Sequence, residues 1–151
     1  MIKGQDALSS SNSKLRDRLV DQLIGYEGLK LKPYYCPAGK LTIGAGRNLE
    51  DKGISEKEAI FLLENDIDEC ISDLEYLFKD KFDSFPEQVK SVLIDMRFNL
   101  GAAGFRSFKK MITALNESDF DKASEEMKDS KWYSQVGKRG ETLVEMMKSC
   151  L

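Results

Sequence analysis

The sequence predicts a mostly helical α+β protein with one small β region near its N-terminus. Three observations carry this expectation. Apolar residues recur at helical spacing through most of the chain, and two Ser-x-x-Glu pairs stand where helices would begin. Glycine, proline and strand-forming residues concentrate between residues 28 and 46. At 151 residues the chain fits one domain, or two small lobes sharing a core.

Taken in order, residues 1–13 are polar and serine-rich and read as a loose tail ending at a helix cap. From Ser13, Leu15, Leu19, Val20, Leu23 and Ile24 fall on one stripe of an amphipathic helix, which Gly25 and Gly28 should stop near Glu27. KLKPYY and KLTIGAG flank CPAG as a β-like, turn-rich unit in which Pro33 and Pro37 limit pairing. Ser55 and Glu58 form a capping-box pattern, with Ile54 placed to staple against Ala59. Ile60, Leu63, Ile67, Ile71, Leu74 and Phe78 then mark a long acidic helix over residues 55–78, able to join two lobes. Ser84 with Glu87 repeats the capping pattern before a helix with Val89, Leu93, Met96 and Leu100 on its buried face. Gly101 and Gly104 should break it, a shorter helix follows over FRSFKKMITAL, and Ser118 should open another. Residues 138–149 close the chain on Leu143, Val144 and Met147.

Composition narrows the chemistry. The chain has no histidine, which removes the usual serine triads, Cys–His peptidases and imidazole-ligated zinc sites. Acid–base work then falls to tuned carboxylates, or to Cys, Lys or Tyr. Cys36, Cys70 and Cys150 lack CxxC spacing, so a disulfide scaffold is not expected and each reads first as a small buried hydrophobe. No metal site and no cofactor are expected. The start of the chain lacks the apolar core of a secretory signal, and no run is long and apolar enough to span a bilayer. Synthesis in the cytosol without membrane insertion is the expectation. Residues 1–49 and 84–114 are net basic, and residues 50–83 strongly acidic. The basic segments suit a polyanion, although solvated helix faces give the same pattern. No long basic run or RNA-binding signature points to nucleic acid.

One segment concentrates chemistry, EGLKLKPYYCPAGKLTIGAGRN, residues 27–48. Glu27 stands at a helix end, where partial burial would raise its pKa toward a working value. Cys36 and Thr42 follow in the β-like unit, and a turn there would fold both back toward the helix end across a sugar-sized gap. Glycoside hydrolysis needs such a set: an acid for the leaving oxygen and a second group for water or direct attack. Spacing permits this and does no more.

The run E-G-L-x-L-x-x-Y, then C, then G-x-x-T-I-G-x-G resembles the phage-type lysozymes, glycoside hydrolase family 24, whose motif is Glu, eight residues, Asp or Cys, five residues, Thr. FNLGAAGF and SKWYSQVGKR resemble two later segments of that family, so the resemblance covers residues 15–145. It implies a lysozyme-like fold: a small N-terminal lobe with a short β-sheet (residues 14–54), a connecting helix (55–78) and a helical C-terminal lobe (84–151). It further implies Glu27 as general acid, with Cys36 and Thr42 assisting the attacking water. Asn99, Trp132 and Tyr133 would line the cleft, and Arg139 would pair with Glu27. The implied substrate is peptidoglycan, cut between N-acetylmuramic acid and N-acetylglucosamine with inversion. A monomeric endolysin held in the host cytoplasm until a holin opens the way to the wall completes the picture.

Two departures stand out. Cys36 replaces the commoner aspartate; its role as base, nucleophile or water-positioning group stays open, and Lys40 nearby would favour its ionisation. Arg47 stands where the family often has histidine, which should alter a structural charge pair rather than chemistry. Out of context, Glu27 would read as a solvated charge, Cys36 as filler, Thr42 as a strand residue and Trp132 and Tyr133 as core aromatics. The spacing of the full motif is what tips each toward function. A lytic transglycosylase and a non-catalytic peptidoglycan-binding protein of the same fold remain alternatives.

Overall fold

The computed structural model describes residues 2–149, with side-chain surroundings from residue 10 onward. Cys150 lies outside the described residues. Internal packing divides the chain into two compact units, Met1–Ala59 and Ile60–Leu151. Eight helices and one antiparallel sheet make up the described residues, a mostly helical α+β architecture as the sequence predicts.

The first unit opens with α1 (Ile2–Glu27), which overturns the expected loose tail. GQDALSSSNS contains no proline, and serine costs a helix only a few tenths of a kcal/mol per residue, roughly, so a helix already formed around Leu15 can extend through it. At the other end the expected stop is found: Gly28, φ +77°, donates its N–H to the Ile24 carbonyl at 2.8 Å, the left-handed glycine cap. The apolar stripe of α1 is present but open, with Leu15, Leu19, Val20 and Leu23 exposed.

Strands β1 (Lys30–Tyr35), β2 (Leu41–Gly44) and β3 (Arg47–Asn48) form a three-stranded antiparallel meander in sequence order. The β1–β2 register runs from Lys30↔Gly44 to Tyr34↔Thr42, so β1 uses four residue steps where β2 uses two. Pro33, which cannot donate to the ladder, sits in that irregularity. CPAG makes the connection: Gly39 (φ +79°) donates to the Cys36 carbonyl at 2.8 Å and Cys36 to that of Lys40 at 3.0 Å.

Helix α2 (Glu56–Phe78) starts with the capping box the sequence announces. The Ser55 N–H donates to Glu58 Oε1 at 3.0 Å, and the Glu58 N–H donates to Ser55 Oγ at 3.1 Å. Its apolar stripe is buried only from Cys70 onward; Ile60 and Leu63 are exposed.

The second unit adds α3 (Asp80–Ser84), α4 (Glu87–Arg106), α5 (Lys109–Asn116), α6 (Phe120–Lys128), α7 (Lys131–Val136) and α8 (Lys138–Lys148) around one core. Leu74, Val89, Leu93, Met96, Phe105, Met111, Leu115, Met127 and Met147 are essentially inaccessible. Phe78, Phe82, Phe85, Phe105 and Phe120 meet edge to face at 5.4–6.5 Å, the arrangement that ring quadrupoles favour.

Two expected caps move. Ser84 ends α3, its hydroxyl donating to the Lys81 carbonyl at 2.6 Å, and caps nothing. Phe85 precedes Pro86 and is held extended (φ −68°, ψ 144°), so α4 starts only at Glu87. Ser118 sits at φ +56°, and Asp119 caps α6 by accepting the Lys122 N–H at 3.0 Å. The expected break at Gly101 is a kink inside α4 (φ 75°, ψ 172°), while Gly104 lies within the helix.

Candidate active site

Glu27, Cys36 and Thr42 all belong to the first unit. Glu27 is the last residue of α1, placed there by the Gly28 cap, and its side chain rests on Gly46. A Cβ on Gly46 would lie 3.0 Å from Glu27 Oε2, and Gly46 itself is at φ +75°. Glycine is therefore required twice, for the backbone and for the carboxylate against it. Glu27 is exposed within its unit, not partly buried as the helix-end argument expected.

The β1–β2 hairpin brings Cys36 and Thr42 together. Thr42 is buried, 3% exposed, and its hydroxyl donates to the Lys40 carbonyl at 2.8 Å while lying within hydrogen-bond reach of the Cys36 thiol. Cys36 itself is half-buried, not the filler its residue type suggests. Its thiol is held below its ordinary value, chiefly by hydrogen bonding from the Lys40 backbone; partial burial opposes, and Ala38 and Thr42 assist. The Lys40 ammonium has other partners, Glu50 Oε2 at 3.2 Å and Asp51 Oδ1 at 3.3 Å. What favours the thiolate is the turn's backbone, and the cation expected to do so is occupied elsewhere.

Arg47, at the position after GAG, grips Glu58 with both nitrogens at 2.9 Å and donates to the Gly53 carbonyl at 3.2 Å. The guanidinium and the Ser55 cap hold Glu58 at a pKa of about 2, against 4.5 ordinarily. A charge pair is thus present, and it ties β3 to the first turn of α2.

Asn99, Trp132, Tyr133 and Arg139 belong to the second unit. Trp132 Nε1 donates to Asn99 Oδ1 at 3.1 Å, linking α7 to α4. Trp132 is 3% exposed and meets Phe108 edge to face at 6.3 Å, so it is a core aromatic with a polar tip. Tyr133 is half-buried against Gly140. Arg139 Nε and Nη2 reach Asp95 Oδ1 at 2.8 and 2.6 Å, so within the second unit Asp95 on α4 holds it. An open pocket of about 570 Å³ lies beside this group, lined by Leu100, Phe108, Met111, Glu126, Lys131 and Trp132.

Sequence reasoning missed Gly46 as the seat of the Glu27 side chain and Asp95 as the partner of Arg139. GAG carried a usable signal, since a second glycine two residues after the first demands a reason. Asp95 and Arg139 are 44 residues apart, with no local pattern to join them.

The sequence matches the phage lysozyme family over residues 24–148. It is 29% identical to Probable T4-type lysozyme 2 of Dictyostelium discoideum, over 87% of this chain and 94% of that protein. It is 32% identical to an endolysin of Acyrthosiphon pisum secondary endosymbiont phage 1, over 71% of each. Similarity at 26% identity extends to the pre-baseplate central spike protein Gp5 of Enterobacteria phage T4, over 73% of this chain and 24% of that much longer protein. With most of its length matched, the chain belongs to the phage lysozyme family.

Proposed function

We propose that the chain is a phage endolysin: a muramidase hydrolysing the β-1,4 bond between N-acetylmuramic acid and N-acetylglucosamine. The observation that supports this most is the hairpin that sets a lowered thiol beside a buried threonine hydroxyl, in the same unit as a glycine-seated glutamate. Glu27, in its acid form, donates its proton to the glycosidic oxygen as the C1–O bond breaks. Water attacks C1 from the opposite face, Thr42 holds that water, and the Cys36 thiolate accepts its proton, inverting the anomeric centre. Asn99, held from behind by the buried Trp132, and the half-buried Tyr133 face the glycan strand. The protein works as a monomer, waits in the host cytoplasm and reaches the wall once a holin opens the membrane. Among the described residues no helix is long and apolar enough to cross a membrane.

The test is mass spectrometry of purified peptidoglycan digested by wild type, Glu27→Gln and Cys36→Ser. Hydrated muropeptides with reducing muramic ends, lost in a folded Glu27→Gln variant, are expected. Activity lost by Cys36→Ser measures the thiol's share. Anhydro-muramic ends would instead identify a lytic transglycosylase. Wall binding with no released product would identify a glycan-binding protein.

A further inference from the structure

Helix α4 consists of two helical runs meeting at Gly101, whose φ 75° and ψ 172° are open essentially to glycine alone. The run before the joint carries Arg97 and Asn99, and the run after it ends at Arg106. One carboxylate on α2 holds both runs. Asp73 Oδ2 accepts from Arg97 Nε at 2.6 Å and from Arg106 Nη1 at 2.9 Å, while Oδ1 accepts from Arg106 Nη2 at 2.6 Å. Arg97 is 9% exposed and lies two residues from Asn99, whose carbonyl oxygen receives the Trp132 indole N–H. The core anchors each run separately, through Leu93 and Met96 before the joint and Phe105 after it. Between those anchors lies the joint at Gly101, and Asp73 spans it. Such bonds between ions are short and directional, so they fix angles better than apolar contact does.

We propose that Asp73, with Arg97 and Arg106, is a positioning group for substrate: it sets the angle at Gly101 and so the place of the Asn99–Trp132 pair. This rests on the reading of that pair as glycan-contacting. Asp73 touches no reacting atom, and its effect should fall on binding rather than on the chemical step.

The chain's one tryptophan makes the geometry observable, because indole emission comes from Trp132 alone and responds to loss of its bond to Asn99. The informative variant is Arg106→Lys, which keeps the charge, loses the two-oxygen grip and sits at a partly exposed position. Asp73→Asn is the stronger variant. Asn99→Ala gives the reference for a lost indole bond, and Leu143→Ala, a core deletion in α8, gives the reference for stability lost elsewhere. With the full chain acting on peptidoglycan, Arg106→Lys should raise KM about 5-fold or more with kcat within about 2-fold. Its Trp132 emission should shift in the same direction as that of Asn99→Ala. Leu143→Ala should lower Tm at least as much and move neither. A folded Arg106→Lys variant with wild-type KM and emission would overturn the proposal, even with a lowered Tm. Should Asp73→Asn fail to fold, Arg106→Lys still decides. A wild-type chain inactive on peptidoglycan would overturn the functional reading instead, a different result from an active enzyme indifferent to Arg106.

Discussion

At the scale of single residues, Gly46 in the first unit is constrained twice over, by its backbone and by the Glu27 carboxylate against it. An alanine there would meet the Glu27 carboxylate and force an L residue to φ +75°. Gly46→Ala should lower kcat/KM on peptidoglycan by roughly 100-fold, since displacing a reacting group by about 1 Å is that costly. Circular dichroism should show the helical content retained. Arg47 offers a test with a sign. The folded pKa of Glu58 is lowered to about 2 from 4.5, so the pair stabilises fully above pH 4.5 and loses its effect as pH falls toward 2. Arg47→Gln should therefore lower Tm at pH 7, and the gap from wild type should close near pH 2, which thermal melts across that range would reveal. Cys36 illustrates what sequence reasoning reaches and what it misses. Its spacing from Glu27 and Thr42 marked it as functional, yet the adjacent Lys40 was credited through its ammonium when the backbone of the same residue does the work. Residue letters advertise charged groups, while amide direction exists only once the turn has formed.

Among the elements, caps show where local rules suffice. Ser55 and Glu58 made the box the sequence announced because both partners lie within one turn and nothing intervenes. Ser84 and Glu87 carry the same letters and make no box, because Phe85, which would have to turn helical, is held extended before Pro86. The lysozyme-like order of helices and hairpin was legible from periodicity and glycine placement. The ends of α1 and α6 were not, since serine-rich helix starts compete within a few tenths of a kcal/mol, roughly. Helix α4 carries the element-scale prediction. Gly101→Ala places a Cβ on backbone that only glycine occupies freely, at a cost of about 1–3 kcal/mol. Tm should fall by roughly 5–15 °C for a unit of this size. A melt unchanged from wild type would mean that the joint relaxes into a continuous helix.

On the scale of the whole molecule, apolar burial is unequally shared. The core cluster runs from Leu74 to Met147 and lies wholly in the second unit; in the first, Thr42 is buried while Leu29, Leu31 and Tyr35 are exposed. Protection of backbone amides follows buried contact. Hydrogen exchange should accordingly find α4 and α8 protected for far longer than β1–β3, and equal protection would show that the hairpin is tied down more firmly than its burial indicates. This inequality was hidden in the sequence, where the stripes of α1 and early α2 look as apolar as those that became core. Finally, the arginine that fills the histidine position after GAG shapes how the molecule meets acid and base. With histidine absent, no side chain has an ordinary pKa between those of carboxylates and thiols, about 4.3 to 8.5. Two of the arginine-gripped carboxylates, Glu58 and Asp73, release their protons near pH 2. Between mild acid and neutral pH these two carboxylates therefore keep their charge. The two clamps they make, β3 to the start of α2 and α2 to both runs of α4, thus stay closed from mild acid to mild base.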